Sequence, residues 1–420
     1  MIKKLLCFIL IPVFCMSVFA GCRVRYDIEE EETPTVAVET FETKEEPDPE
    51  GVIRIRYSNN DYTAYLKECK EAFEKKYENT SIVLDLVDKD NYLEKINSDS
   101  RREYKHPDLY ILNNDELSTA YLAGLTSKIQ SDDFISENFD TPAVNACSYN
   151  SFLCAYPLGF KTSFLVYNAD CTTEDKSYTF DDIKYFSENA DYSQFPEGIE
   201  YIFDCNISDI LLNYGFIGSG FNLGGKFGTQ KKIFNICNDT TIDLANDYVE
   251  LVEYFSFDKN SSYRDVLDRV LEGKTVFSIV STESLGELIG SGRNFKFSQM
   301  PDYDEETKTA PLSITSSVVI NPYSKDTANA TLFARFITGE YVDRLYETTG
   351  ILPANKRVMN PKNRFYGIYE SYLKSDSKTK VQYGEQVYPL IEIALHNILD
   401  GEDIRTELQA VDDFMKKQLS

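Results

Sequence analysis

Hydrophobic and polar positions change their period several times in the first half of the chain. Residues 52–57 alternate between apolar and polar side chains, as a half-buried strand does. Apolar residues then recur at helical spacing from 65 to 77, and the polar run 59–61 between them can break the strand and cap the helix. Later apolar runs predict strands over 82–87 and 109–112, with a helix after the second. Such alternation of strands and helices builds a parallel α/β sheet.

The remainder of the chain continues the same mixture of strands and helices. Residues 178–182 have the pattern of a capped helix start. The predicted strands cover 156–167, 276–280 and 317–320. The predicted helices cover 242–257, 266–271, 327–337, 341–348, 387–399 and 404–419. With 420 residues, the chain is too long for one ordinary core, so we expect two domains or lobes.

The ends of the early strands are candidate ligand positions. In open parallel sheets, ligands bind outside the carboxyl ends of the strands. That rule places residues 57–62 and 112–116 at one rim of the predicted sheet. Tyr62 has an alternative role as a surface aromatic residue that packs on its own helix.

The first 21 residues have the pattern of a signal peptide. A positively charged start precedes an almost wholly apolar run over 5–20, which is shorter than the roughly 20 residues that a spanning helix needs. Small residues stand just before Cys22, as in the bacterial lipobox, where the cysteine is acylated. We therefore expect a lipid on Cys22 that anchors the protein at the extracellular face of the cell membrane. Plain secretion after an Ala-x-Ala-like site is the alternative.

An acidic tether is predicted over residues 22–51, between the lipid and the folded body. Eleven carboxylates and one basic residue, Lys44, lie between Asp27 and Glu50. Like charges and prolines keep such a segment extended and without a core. The whole chain has a net charge of −26, which argues against nucleic acid as a partner.

The sequence contains no metal-site or cofactor pattern. Neither a CxxC nor a zinc-type His spacing occurs, and the two histidines, His106 and His396, are far apart. Pairing of the later cysteines in disulfides stays open, because an exported protein can form them and an anaerobic source would not. The cysteines in question are Cys69, Cys147, Cys154, Cys171, Cys205 and Cys237.

Signals for an enzyme are absent from the sequence or incomplete. The Gly-rich segment 218–225 matches neither a dinucleotide fingerprint nor a P-loop, and a flexible turn beside Tyr214 and Phe216 is the better interpretation. No G-x-S-x-G elbow occurs. The carboxylates are too numerous for one pair to stand out as a glycosidase dyad. We therefore expect a protein that is not an enzyme and that has no cofactor.

Several motifs, in this order, resemble those of the maltose-binding type of extracellular solute-binding proteins. Pro107-Asp108-Leu109-Tyr110 with Ala123-Gly124-Leu125 is similar to the family's "PD" block, and Tyr156-Pro157 through Tyr167-Asn168 is similar to its crossover strand. The other matching segments are 178–182, 273–277, 333–338 and 350–355. The resemblance runs from residue 52 to residue 420.

The resemblance implies a two-lobed α/β fold with a ligand cleft between the lobes. Lobe one then takes 52–155 and 317–349, and lobe two takes 159–316 and 354–420. Three segments cross between the lobes, near 156–157, 311–316 and 350–353. A hinge with few crossing strands allows the lobes to close around a ligand.

The ligand positions that the resemblance implies carry unusual residues here. Lys161 stands where a Glu is usual in the family, and Glu283 stands where a stacking Trp is usual; the chain has no Trp. Malto-oligosaccharides are therefore not the expected ligand, although 29 Tyr and 27 Phe leave stacking available. The candidate ligand-binding residues are Tyr57, Asn60, Asp61, Tyr62, Asn114, Asp115, Glu116, Phe160, Lys161, Tyr214, Phe216 and Glu283.

The function that the resemblance implies is capture of a small polar solute, a sugar or sugar derivative, for an ABC importer. The expected partners are this solute, the permease subunits and the membrane, and the protein is expected to be a monomer. A ligand-sensing surface lipoprotein and a surface carbohydrate hydrolase are the alternatives. The hydrolase would need two carboxylates about 5 to 9.5 Å apart in one cleft.

Overall fold

The computed structural model describes residues 48–102, 106–172, 174 and 176–420. The predicted signal peptide over 1–21, the lipidated Cys22 and nearly all of the acidic tether lie outside the described residues. Among the described residues, no helix combines the length and the apolar character that crossing a membrane requires.

The described residues include both short and long strands, which are numbered here in chain order. The strands are β1 Gly51–Tyr57, β2 Thr80–Leu86, β3 Leu109–Asn113, β4 Ser148–Tyr149, β5 Phe152–Leu153, β6 Tyr156–Asn168, β7 Tyr201–Cys205, β8 Asn222–Leu223, β9 Phe234–Asn235, β10 Thr275–Ser281, β11 Phe295–Ser298, β12 Leu312–Ile320, β13 Leu352–Pro353 and β14 Asp376–Ser377.

Helices occupy most of the segments between the strands. They are α1 Tyr62–Lys76, α2 Tyr92–Ser100, α3 Leu117–Leu122, α4 Asp133–Asn138, α5 Thr141–Ala146, α6 Phe180–Asn189, α7 Ile210–Ile217, α8 Asp239–Phe255, α9 Tyr263–Leu271, α10 Leu285–Gly290, α11 Thr327–Arg335, α12 Leu345–Thr349, α13 Tyr366–Leu373, α14 Val387–Leu399 and α15 Ile404–Leu419. A π-helical turn, Phe336–Glu340, follows α11.

Seven strands form a continuous path in the order β2-β1-β3-β12-β6-β10-β7. Strand β1 pairs in parallel with β2 and β3, as the strand–helix alternation predicts. Strand β6 is antiparallel to β12 along its first half and antiparallel to β10 along its second half. Because β6 is 13 residues long, it can pair with β12 through its first half and with β10 through its second half.

Two hydrophobic cores lie on either side of this shared strand. The first includes Ile55, Phe73 and Phe160, and the second includes Phe203, Tyr248 and Ile279. Helix α13 packs into the first core through Tyr372, whereas α14 and α15 pack into the second. The lobe boundaries inferred from the sequence stay a prediction; α13 contributes to the first core although 354–420 is assigned to lobe two.

Local sequence explains why the chain makes these elements. In α6, the Thr179 hydroxyl accepts from the Asp182 N–H at 3.0 Å, and the Asp182 carboxylate accepts from the Thr179 N–H at 3.0 Å. This capping box satisfies two N–H groups that the first helical turn leaves without a partner. It confirms the helix start that residues 178–182 predict.

Candidate functional site

A cavity of about 270 Å³ lies where β1 and β3 end, beside β6 and β12. We call it the strand-end cavity. Its lining residues are Ser58, Asn59, Tyr62, Lys89, Ile111, Leu112, Asn113, Glu116, Phe160, Lys161, Ile314, Ser316 and Ile351. The carboxyl ends of parallel strands meet at one edge of a sheet, which is why residues so far apart in sequence line one space.

Tyr62 forms a fixed part of the cavity wall. Its side chain is 4% exposed, and its hydroxyl donates to the Ser316 Oγ at 2.6 Å. The Ser316 hydroxyl in turn donates to the Gly159 carbonyl at 3.2 Å. Burial raises the pKa of Tyr62 to about 12, so the phenol is neutral at physiological pH. This chain of hydrogen bonds ties α1 to the two crossing strands.

A close backbone approach completes the wall at β6. Strand β13 pairs with β6 through Leu352 and Pro353, opposite Phe160 and Gly159. A Cβ atom added at Gly159 would lie 2.6 Å from the Ile351 Cγ2 atom. Glycine at this position therefore lets the third crossing segment lie directly against β6.

The strand-end cavity carries charges of both signs. Lys89, Lys161 and Glu116 line it, and the Lys161 ammonium pairs with the Glu283 carboxylate. Burial, and then the like charge of Asp115, raises the pKa of Glu116. Both members of the Lys161–Glu283 pair are more than one-third exposed, so the pair itself adds little stability. The Lys161 ammonium and the Glu283 carboxylate are therefore available to a polar ligand.

Asn114 and Asp115 hold the rim of the cavity without lining it. The buried Asn114 side chain accepts from the Thr315 N–H at 2.8 Å and donates to the Lys378 carbonyl at 3.1 Å. The Asp115 Oδ2 lies 3.6 Å from the Lys378 Nζ. The Asp115 Oδ1 is buried and has no hydrogen-bond partner among the described residues.

The other residues predicted for the site lie elsewhere. Tyr57 is buried at the end of β1 and accepts a hydrogen bond from Thr63, and Asn60 and Asp61 are exposed just before α1. Phe216 is fully buried in the second core, where it stacks on Phe180 and Tyr248. Tyr214 lines a separate cavity of about 300 Å³. Phe216 lines neither this cavity nor the strand-end cavity.

Sequence reasoning missed several lining residues, among them Lys89, Ser316 and Ile351. Ser58 and Asn59 lie in the segment 57–62 that the strand-end rule places at the rim, although they are not among the named candidates. Lys89 follows the neighbouring strand β2, so the same rule could have found it. Ser316 and Ile351 line the cavity only because the crossing segments pair with β6, which no local pattern shows.

The described residues contain no group of three or more His, Cys, Asp or Glu side chains that could hold a metal ion. The six cysteines whose pairing the sequence left open are free thiols in the structure. Four of them are buried, and burial raises the pKa of each of these thiols. Such thiols are poor nucleophiles and behave as small apolar side chains.

A family model described as "Bacterial extracellular solute-binding protein" matches residues 68–364. This chain belongs to that family. The match spans α1 to the segment before α13, and so it includes β3, β6, β10 and β12. No curated protein matches the chain.

Solved structures with maltose-type ligands have the same fold as this family member. An extracellular solute-binding protein from Staphylococcus aureus, in complex with maltose, is 16% identical with a TM-score of 0.77, over 89% of this chain and 98% of that chain. The maltose-binding periplasmic protein MalE from Listeria monocytogenes is 16% identical with a TM-score of 0.73, over 88% and 97%. A cyclo/maltodextrin-binding protein is 17% identical with a TM-score of 0.76, over 89% and 98%. The two-lobed α/β fold that the resemblance implies is thereby confirmed.

Proposed function

We propose that the protein is the substrate-binding component of an ABC importer and that it captures a small sugar derivative in the strand-end cavity. Membership of the solute-binding family supports the capture role. The cavity's position, at the ends of β1 and β3 and against the crossing strands β6 and β12, carries the proposal. A ligand held there contacts the strands on which the two cores would move relative to each other.

The chemistry of the lining supports a hydroxylated ligand. Asn59 and Ser58 offer neutral hydrogen-bonding groups, Glu116 offers a carboxylate, and Lys161 offers an ammonium. The rings of Tyr62 and Phe160 supply apolar surface of the kind on which sugar C–H faces pack. Similar structures were solved with maltose or maltotetraose. The Lys89, Lys161 and Glu116 charges favour a sugar derivative with a charged substituent over a plain maltodextrin.

The N-terminal segment supplies the location in this proposal. Acylation of Cys22 would anchor the chain to the outer face of the membrane, and the acidic tether would keep the body away from it. The permease subunits of the importer would then receive the ligand after closure of the two lobes. Binding favours the closed form only by the ligand's differential affinity for that form.

The proposal is tested by thermal-shift screening of the protein without its lipid against sugars, amino sugars and sugar acids. A ligand that binds only the native state raises the melting temperature in proportion to RT ln(1 + [L]/Kd). We expect at least one compound to do so and to be recovered unchanged. A screen without any stabiliser, or steady turnover of the compound, would contradict a binding role.

Variants then locate the ligand. Lys161→Met and Glu116→Gln each remove a charged hydrogen-bonding group from the strand-end cavity, so each should weaken binding about tenfold or more in calorimetry. Lys417→Met is the matched control, because Lys417 is exposed on α15. Affinity that is unchanged in both cavity variants would move the ligand out of this cavity.

A further inference from the structure

A second cavity, of about 300 Å³, lies on the other face of crossing strand β12. Ser313 lines this second cavity and the next residue, Ile314, lines the strand-end cavity. Successive side chains of a strand point to opposite faces. The walls of the second cavity come from segments that pack in different cores. Asn145 lies on α5, next to the first core, whereas Tyr214 belongs to the second core and Phe221 packs against that second core. We call it the Asp376 cavity.

Asp376 is held rigidly in this cavity by its backbone. It belongs to β14, which pairs in parallel with Leu312 and Ser313 of β12. The Asp376 N–H donates to the Pro311 carbonyl at 2.9 Å, and the Ser313 hydroxyl donates to the Asp376 carbonyl at 3.3 Å. The carboxylate therefore has a fixed position relative to the crossing strands.

Among the described residues, the Asp376 carboxylate has one hydrogen-bond donor and forms no ion pair. Its Oδ2 accepts from the Tyr214 hydroxyl at 3.0 Å. Burial raises the pKa of Asp376 to about 6, and the Tyr214 hydrogen bond opposes this rise only in part. Lys226 also lines the cavity, but its ammonium lies over the Phe227 ring, 5.4 Å from the ring centroid. A half-buried carboxylate without an ion-pair partner is costly, and an ammonium group is its natural partner.

The rest of the lining is hydroxyl, amide and aromatic. Ser377 and Asn145 present hydrogen-bonding side chains, and Tyr214 and Phe221 meet edge to face with centroids 5.4 Å apart. Hydroxyl and amide groups can both donate to and accept from ligand hydroxyls. The aromatic edges supply an apolar surface of limited area.

We propose that the Asp376 cavity is a second ligand site, which takes a small hydroxylated amine with the Asp376 carboxylate as its counter-ion. An amino sugar of one ring has this chemistry and a size comparable with the cavity. The Asp376 cavity shares no lining residue with the strand-end cavity. The proposal of a second site is therefore independent of the import function proposed above.

The experiment is titration calorimetry of the full chain without its lipid, with glucosamine as the probe and N-acetylglucosamine as its uncharged match. We expect glucosamine to bind with a Kd of about 1 mM or lower, and N-acetylglucosamine to bind at least about tenfold more weakly. Asp376→Asn should weaken glucosamine binding at least about tenfold, because it removes the counter-ion and keeps an acceptor for Tyr214. Lys417→Met should leave glucosamine binding within about twofold of the wild type, since Lys417 is exposed on α15 and lines neither cavity.

A crystal structure with glucosamine gives a second readout that does not depend on how well the Asp376→Asn protein folds. The expected result places the amine nitrogen within hydrogen-bond distance of an Asp376 carboxylate oxygen. The inference is overturned by the absence of binding, by equal binding of the acetylated match, by binding that survives Asp376→Asn, or by glucosamine in the strand-end cavity alone.

Discussion

At the residue scale, burial strongly changes the pKa of one lysine, Lys380. Its side chain is 1% exposed, and its ammonium donates to the Asn145 and Ala146 carbonyls at 3.0 and 3.1 Å. Burial lowers the pKa of Lys380 to about 8. The unfolded chain, with an ordinary lysine pKa of about 10.4, therefore binds more protons than the native state between pH 8 and 10. Native stability from this group rises with pH through that window.

This pKa shift leads to a prediction for Lys380→Met. The free energy of unfolding of the wild type, relative to the variant, should increase from pH 7 to pH 10 by up to roughly 3 kcal/mol, because the cost of burying the charge disappears. Urea denaturation at several pH values measures this difference. Lys417→Met is again the exposed control and should show no such trend. A Lys380→Met difference that is constant over this pH range would mean that the lysine titrates normally.

The residues of the candidate site were only partly predictable, and the reason is geometric. Tyr62 and Glu116 follow strands whose patterns are clear, so the strand-end rule places them at the rim, and both line the strand-end cavity. Tyr214 and Phe216 lie on α7, whose residues 212–217 are all buried. A helix that is apolar on every side gives no indication of which aromatic ring faces a cavity. Tyr214 lines the Asp376 cavity, and Phe216 packs in the core.

At the scale of secondary-structure elements, the pairing of β13 with β6 depends on Gly159. A Cβ at this position would meet the Ile351 Cγ2 at 2.6 Å and the Leu352 carbonyl oxygen at 3.0 Å. We predict that Gly159→Ala destabilises the protein by about 1–3 kcal/mol, because the Leu352 oxygen belongs to the backbone of β13 and cannot shift without moving that strand. Chemical denaturation measures the change.

Gly286→Ala supplies the comparison for Gly159→Ala. Gly286 lies in α10, and an added Cβ would have nothing within 4 Å. Alanine should stabilise that helix by about 0.5–1 kcal/mol. Equal effects of the two substitutions would show that the segment 351–352 does not lie tightly against Gly159.

Long elements were predictable from the sequence, and short ones were not. The alternation at 52–57 and the helical spacing at 65–77 correspond to β1 and α1 within a few residues. Strands β13 and β14 have two residues each, which is too short for any period to appear. Both exist because they pair with β6 and β12, so they depend on contacts between distant parts of the chain. These two strands are also the ones that bring Ile351 and Asp376 to the cavities.

At the scale of the whole described body, β6 and β12 connect the two cores and separate the two cavities. Ser313 pairs with Thr162 and faces the Asp376 cavity, whereas Ile314 pairs with Lys161, and both of these line the strand-end cavity. In the proposed lobe closure, a rotation about these strands that narrows the space on one face would widen the space on the other. Ligands in the two cavities would then act on the same movement.

This geometry predicts thermodynamic coupling between the cavities. Saturating glucosamine should change the affinity of the sugar identified by screening by about fivefold or more, and that sugar should change the affinity of glucosamine by the same factor. Calorimetric titration of each compound with and without the other measures both factors. Asp376→Asn should remove the effect of glucosamine on the sugar, since the carboxylate is the proposed counter-ion. If both ligands favour one arrangement of the two cores over the other, each must change the affinity of the other. Affinities that stay unchanged when both compounds are present would therefore show that the crossing strands do not couple the two cavities.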